Sequence, residues 1–208
     1  MQKLTTSVVL TGDIVNSSGL TQPEKRKMLK TLKQAMEAGI TLMADWKPEI
    51  FQGDSFQGAT TVGITQSLRY AMMVFALFRK QSLMIRIALG MGTLSFDTGN
   101  VSTNDGSAYL HSGRTLEELK KKSGNFIGIK TPDEETNLEY EVHCTSLDYL
   151  LTRCTPLQAE GLFYALQDMT QKQIAQKLNI SQPTVQQRLQ AAGWPVFKAI
   201  LQRFESKY

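Results

Sequence analysis

Residues 155–204 carry helix starts and stops so closely spaced that few folds accommodate them. Thr155-Pro156 reads as a helix start, with threonine as N-cap and proline in the first turn. Leu162, Ala165 and Leu166 then fall on one apolar stripe. Thr170 caps a second, short helix over residues 171–178, with Ile174, Ala175 and Leu178 facing inward. Asn179 and Ile180 make a tight turn. Ser181 caps a third helix over residues 182–192, with Pro183 in its first turn and Val185 and Leu189 inward. Gly193-Trp194-Pro195 stops it, and Val196, Phe197, Ile200, Leu201 and Phe204 are the apolar face of a closing helix over 196–204. A small residue where two helices cross (Ala175), an apolar turn residue (Ile180) and β-branched Val185 against the first helix define a helix-turn-helix.

The charge distribution gives this segment a partner class. The 208-residue chain has 23 Lys and Arg against 19 Asp and Glu, a net +4. From residue 152 onward there are 7 basic and 3 acidic residues, which leaves 16 of each before it. The whole excess therefore sits on the tail, as a polyanionic partner requires. The run Thr170–Leu189 resembles the DNA-binding tails of bacterial transcription factors, of the sigma-region-four or LuxR-like kind. That resemblance implies double-stranded DNA as partner, with helix 182–192 in the major groove. Gln182, Thr184, Gln187 and Arg188 are side chains suited to base edges and phosphates, and Thr170 and Ser181 offer hydroxyls or helix N-termini to the backbone. The competing use of such a unit is a helical protein–protein module.

The first 150 residues are neutral and alternate between two periodicities. Residues 7–12 are an apolar, β-branched strand ending at Asp13. A helix over 23–45 has Leu29, Leu32, Met36, Ile40 and Met43 at helical spacing. Residues 49–62 read as a hairpin turning at Gly53-Asp54. Thr65 starts a helix to about Gln81, whose Met72, Met73, Phe75 and Phe78 are core or a dimer interface. A strand over 83–92, a loop over 97–105, a helix to about Lys122 and a strand over 125–129 follow, with Tyr140–His143 as one more short strand. The order β-α-β-β-α-β predicts a ferredoxin-like palm. The fold class is α+β: a domain over residues 1–150 and an all-α helix-turn-helix domain over 151–208.

Asp13-Ile14 after the first strand, Gly53-Asp54 in the hairpin and Arg86–Gly92 in the fourth strand resemble the catalytic domain of class III nucleotide cyclases. They are also similar to the smaller cyclase-related proteins of the SatD family, over roughly residues 6–130. The resemblance implies that Asp13 and Asp54 hold Mg²⁺ with a nucleotide, since hard divalent cations take oxygen ligands and neutralise phosphate charge. It implies nucleotide contact for Arg114, in the segment Gly106–Arg114, and a homodimer. Two positions depart from the cyclase pattern: the asparagine four residues before that arginine is Leu110, and the base-reading lysine falls on Ile50; the acidic or threonine base partner falls on Thr103. Such a site binds better than it turns over, because the developing phosphoryl charge lacks a polar partner; no catalytic residue is assigned. The same aspartates also have ordinary uses, Asp13 capping the following turn and Gly53-Asp54 serving as a hairpin signal.

The remaining features are negative. No apolar run approaches a membrane span, and the N-terminus lacks the apolar stretch of a signal peptide. Cys144, Cys154, His111 and His143 make neither a disulfide framework nor a metal cluster. His111 reads as a surface helix residue, and Lys120-Lys121-Lys122 as a solvated helix end favoured by the dipole. The expectation is a cytoplasmic, dimeric, DNA-binding regulator with a nucleotide-sensing body. The alternative is an active cyclase or nucleotidyl-transfer enzyme regulated by its tail.

Overall fold

A computed structural model of the protein describes residues 6–51, 53–94 and 105–208. Five strands, β1 (Thr6–Ile14), β2 (Lys47–Phe51), β3 (Ser55–Thr60), β4 (Ile85–Thr93) and β5 (Ile127–Lys130), form one sheet in the order β2-β3-β1-β4-β5. The first four pair antiparallel, with β1 central, and β5 adds parallel to β4. A parallel neighbour needs a crossover, and α3 (Ser107–Lys121) provides it. The two-residue alternation of β1 sends Val8, Leu10 and Ile14 into the main core, beneath α1 (Gln22–Leu42) and α2 (Ser67–Arg79). Its opposite face meets α3, with Thr11 Oγ1 2.7 Å from Ser112 Oγ. The sheet is thus covered on both sides, in the ferredoxin-like palm arrangement predicted for the body.

Three sequence expectations are corrected. Helix α1 ends at Leu42, and its inward face is Met28, Leu32, Ala35, Met36 and Gly39; Leu29 and Ile40 are exposed. The hand-over comes at Gly39, where a Cβ would lie 2.5 Å from the Trp46 indole nitrogen, so the aromatic ring sets the helix rotation. Helix α2 starts two residues after Thr65, behind a 3-10 turn (Ile64–Gln66). Its Met72, Met73, Phe75 and Phe78 are all core. Residues 140–143 are not a strand: they lie inside α4 (Glu134–Arg153), which Asp133 caps by accepting the Thr136 N–H at 2.8 Å. The loop over 97–104 and Thr103 lie outside the described residues.

The tail folds into α5 (Pro156–Ala165), α6 (Gln171–Leu178), α7 (Gln182–Ala191) and α8 (Trp194–Glu205). Helix α8 begins earlier than 196, with Pro195 inside its first turn and Gly193 at φ 80° before it; Val196 is exposed rather than core. Helices α5 and α8 pack on the outer side of α2, so Leu162, Leu166, Phe197, Ile200, Leu201 and Phe204 share one continuous core with the palm. A helix apolar on every side must be covered on every side, and α2 is sandwiched between sheet and tail. Arg69 of α2 clamps the contact, reaching Glu205 at 2.8 Å and Asp168 at 3.0 Å. Helix α4 runs through residues 150 and 151, and Cys154 and Thr155 alone separate it from α5.

Buried Asp148 ties α4 to the sheet by accepting the N–H groups of Phe126 (2.9 Å) and Ile127 (3.1 Å). Burial pushes its carboxyl up to about 7, against the lowering effect of those two bonds. A folded-state value above the ordinary 3.8 means the folded protein holds the proton more tightly than the unfolded chain. This group's stabilisation is therefore full below about pH 4 and is lost as pH rises to about 7, by on the order of 3–4 kcal/mol. Asp148→Asn should remove that fall. The stability difference between variant and parent, followed by urea denaturation from pH 4.5 to 8, should grow with pH; a constant difference would disprove the assignment.

Candidate functional site

The tail's bihelical unit is assembled from local signals. Thr170 Oγ1 accepts the Gln173 N–H at 3.3 Å, and Gln173 Oε1 accepts the Thr170 N–H at 2.8 Å, a reciprocal capping box. Asn179 ends α6 in the left-handed conformation, at φ 51°, which asparagine tolerates better than most side chains. Ser181 Oγ accepts the Thr184 N–H at 3.3 Å and starts α7. Ala165, Ile174, Ala175, Val185 and Leu189 form a small core of their own between α5, α6 and α7. The unit therefore has a small buried cluster of its own beside the core that α5 shares with the palm, with Trp194 packed against both.

The outward face of α7 differs in part from expectation. Gln182 and Gln187 are exposed. Thr184 is half-buried, its hydroxyl 2.8 Å from that of Ser181. Thr170 and Ser181 are exposed, but their hydroxyls are engaged in capping. Arg188 turns back toward α5, with Nη1 3.9 Å from Glu160 Oε2. Gln186 and Gln190, which the sequence reading passed over, are exposed and complete a line with Gln182 at four-residue intervals. That interval was itself the available signal, because i, i+4, i+8 share a helix face. Tail cations are sorted as well: Arg203 and Lys207 both pair with Glu139, at 2.6 and 3.0 Å. Lys172, Lys177 and Lys198 remain exposed, without a carboxylate partner among the described residues.

At the other end of the molecule β1 and β4 put Asp13 beside Arg86 in register. Asp13 Oδ2 lies 3.7 Å from Arg86 Nη1, and Oδ1 lies 3.6 Å from Nζ of Lys120, on the last turn of α3. Asp54 follows Gly53, at φ 80°, in the β2–β3 turn; its carbonyl accepts the Ile14 N–H at 3.1 Å. Its carboxylate accepts a 2.5 Å hydrogen bond from Ser17 Oγ. Burial pushes the Asp13 carboxyl up, Lys120 draws it down, the Asp54 charge pushes it up again and Arg86 draws it down. The two aspartates thus share one field at one end of the strands. The buried Nε of Arg86 has no hydrogen-bond partner among the described residues. Lys120, expected to be a solvated helix end, is instead half of an ion pair.

The remaining candidates stand apart. Arg114 lies on the exposed face of α3, in a shallow groove with Tyr109, Leu110 and Glu118. It is six residues before Lys120, or about 9 Å along the helix at 1.5 Å per residue. Ile50 and Leu110 are exposed apolar side chains. Neither can hydrogen-bond a base or a transferring phosphoryl group. His111 is half-buried, with Nδ1 2.6 Å from the Met91 carbonyl. No group of three or more His, Cys, Asp or Glu suited to a metal ion occurs among the described residues. Asp13 is engaged by Lys120 and Arg86, and Asp54 by Ser17.

Residues 157–192 match the sequence profile of sigma-70, region 4, which spans α5, α6 and α7. No curated protein matches the chain in sequence. Among solved structures it is similar to the guanylyl cyclase Cya2, at 18% identity over 65% of this chain and 77% of that one, with a TM-score of 0.42. It is also similar to the GGEEF domain of a diguanylate cyclase from Vibrio cholerae, at 14% identity over 62% and 83%, with a TM-score of 0.42. A bacterial light-regulated adenylyl cyclase matches at 14% identity over 61% and 76%, with a TM-score of 0.41. No helix among the described residues is long and apolar enough to cross a membrane.

Proposed function

We propose that the protein is a DNA-binding regulator of transcription, acting as a homodimer, in which α7 enters the major groove of double-stranded DNA. The observation that carries this reading is the exposed glutamine line of α7, on a capped unit within the segment that resembles sigma-70 region 4. Glutamine is a bidentate partner for adenine N6 and N7, so Gln182, Gln186 and Gln190 are the base readers. With Arg188 drawn back to Glu160, phosphate contact falls to Lys172, Lys177 and Lys198. Binding of a random duplex, followed by fluorescence anisotropy, should lose affinity with salt at a log–log slope of about −3 per protomer, at roughly −0.9 for each phosphate neutralised. Lys172→Ala should reduce that slope by about one. Salt-independent binding, or none at low salt, refutes the reading.

The second part of the reading is that the body, a SatD-like palm over residues 1–150 joined to the DNA-binding domain over 151–208, senses a phosphate-bearing nucleotide at its Asp13 edge. The cluster of Asp13, Asp54, Arg86 and Lys120 supports it: two cations and two carboxylates, one of them pushed up by burial, at an accessible strand end. Phosphate oxygens would take Lys120 and Arg86, releasing Asp13 and Asp54 to a single Mg²⁺. Asp54→Ala should abolish Mg²⁺-dependent nucleotide binding by calorimetry and shift operator affinity; both unchanged would remove this part. Turnover of any nucleoside triphosphate by the parent protein with Mg²⁺ or Mn²⁺ would favour the enzyme reading instead.

A further inference from the structure

Helix α4 has two apolar faces, and only one of them is used. Thr136, Tyr140, Cys144, Leu147 and Leu151 are buried against β5 and the tail. On the other side Leu138 is 68% exposed, Val142 65% and Tyr149 58%. Together with Glu135, Thr145 and Thr152 they follow one another at alternating steps of three and four residues, the spacing of a coiled-coil seam. An isolated exposed leucine needs no explanation; three exposed apolar side chains aligned on one helix over residues 138–149 do.

We propose that this seam pairs with the same seam of a second copy, antiparallel, about a two-fold axis passing between Val142 and Thr145. The pattern is its own complement when reversed. Leu138 meets Tyr149 of the other copy, Val142 meets Thr145, and Glu135 meets Thr152. The ends complement each other in charge: Glu134 and Glu135 open the helix, and Arg153, stacked on Tyr149 at 3.8 Å, closes it. In the antiparallel pair each acidic end faces the other copy's arginine, and the helix dipoles oppose favourably. A surface that fits itself under a two-fold rotation is what an isologous dimer requires.

This inference rests on the proposed DNA-binding reading and gives it a geometry. Because α5 begins three residues after α4 ends, the two tails leave the paired helices at opposite ends. Twenty residues at 1.5 Å each place those exits about 30 Å apart, close to the roughly 34–36 Å between half-sites one DNA turn apart.

The test is the solution mass of the full chain by light scattering, together with anisotropy binding to random duplex. The parent should have twice the chain mass. Val142→Glu, at an exposed position, should give a monomer that keeps the parent's helical circular dichroism, with a melting midpoint that no longer rises with protein concentration. Arg153→Glu should raise the dimer dissociation constant at least tenfold, and adding Glu134→Lys, which this register sets opposite residue 153, in the same chain should recover most of that loss. A Val142→Glu protein that stays dimeric, or a parent that is monomeric at high micromolar concentration, overturns the interface, whatever DNA binding is found. A parent that dimerises through this seam yet binds no duplex leaves the interface standing and removes the function.

Discussion

Gly90→Val is expected to cost at least about 3 kcal/mol and to disorganise the Asp13 cluster, although Gly90 touches none of its members. Gly90 lies on β4, under the first turns of α3. A Cβ there would stand 2.2 Å from the Ala108 carbonyl oxygen, 2.2 Å from the Ser112 nitrogen and 2.8 Å from the Ser112 Cα. All three are backbone atoms of one helix, so no rotamer change relieves the clash and α3 itself must lift. Lifting it breaks the bond from Ser112 Oγ to the Ala88 carbonyl, 3.1 Å, and the contact with Thr11. It also draws Lys120 away from Asp13. Gly53→Ala is the control: its φ of 80° disfavours a side chain, but nothing lies within 4 Å of the new Cβ. That change should cost about 1 kcal/mol, from backbone strain alone. Urea denaturation of both variants checks the pair; similar losses would mean that α3 is not held against β4 at this glycine.

What was legible in the sequence is what is encoded locally. The caps at Thr155, Thr170 and Ser181 sit within three residues of the groups they satisfy, and all three helices start where those residues indicate. The hairpin turn at Gly53-Asp54 was legible for the same reason, with Gly53 at φ 80° between β2 and β3. Helix α4 was not, and its second apolar face explains why: with Leu138, Val142 and Tyr149 outside and Tyr140, Cys144 and Leu147 inside, the one-sided period of an amphipathic helix is blurred. The Asp133 cap, followed by Glu134 and Glu135, was the signal that remained. Arg86 and Lys120 escaped notice as partners of Asp13 because each arrives from a distant element through sheet register or helix docking. Arg188 was read as outward from its basic chemistry; Glu160 on α5, a helix away, determines its direction.

Phe204→Ala should have the other large effect, because it acts on the joint between the two functional parts. Phe204 is fully buried on α8, its ring 5.7 Å from that of Tyr140 on α4 and 5.2 Å from that of Tyr208. Truncation removes about 3–5 kcal/mol. For a chain of this length that lowers the melting midpoint by roughly 10 °C. The more telling consequence is where the loss falls. Ile174, Val185 and Leu189 belong to the small core of α5–α7, a different buried cluster from the one that holds Phe204, so the three-helix unit keeps its own packing. Its attachment weakens, with Phe197, Ile200, Leu201 and the pairs of Arg69 with Glu205 and Asp168 left to hold α8 and the α5–α6 corner against α2. Calorimetry should therefore resolve the single transition of the parent into two, with proteolytic nicking appearing near Thr155. Duplex affinity should fall further for paired half-sites than for one, since only the former depends on how the two tails are held. A variant that still melts in one transition at the parent's midpoint would mean that the tail is not anchored through α8, and that the palm does not fix the geometry of DNA contact.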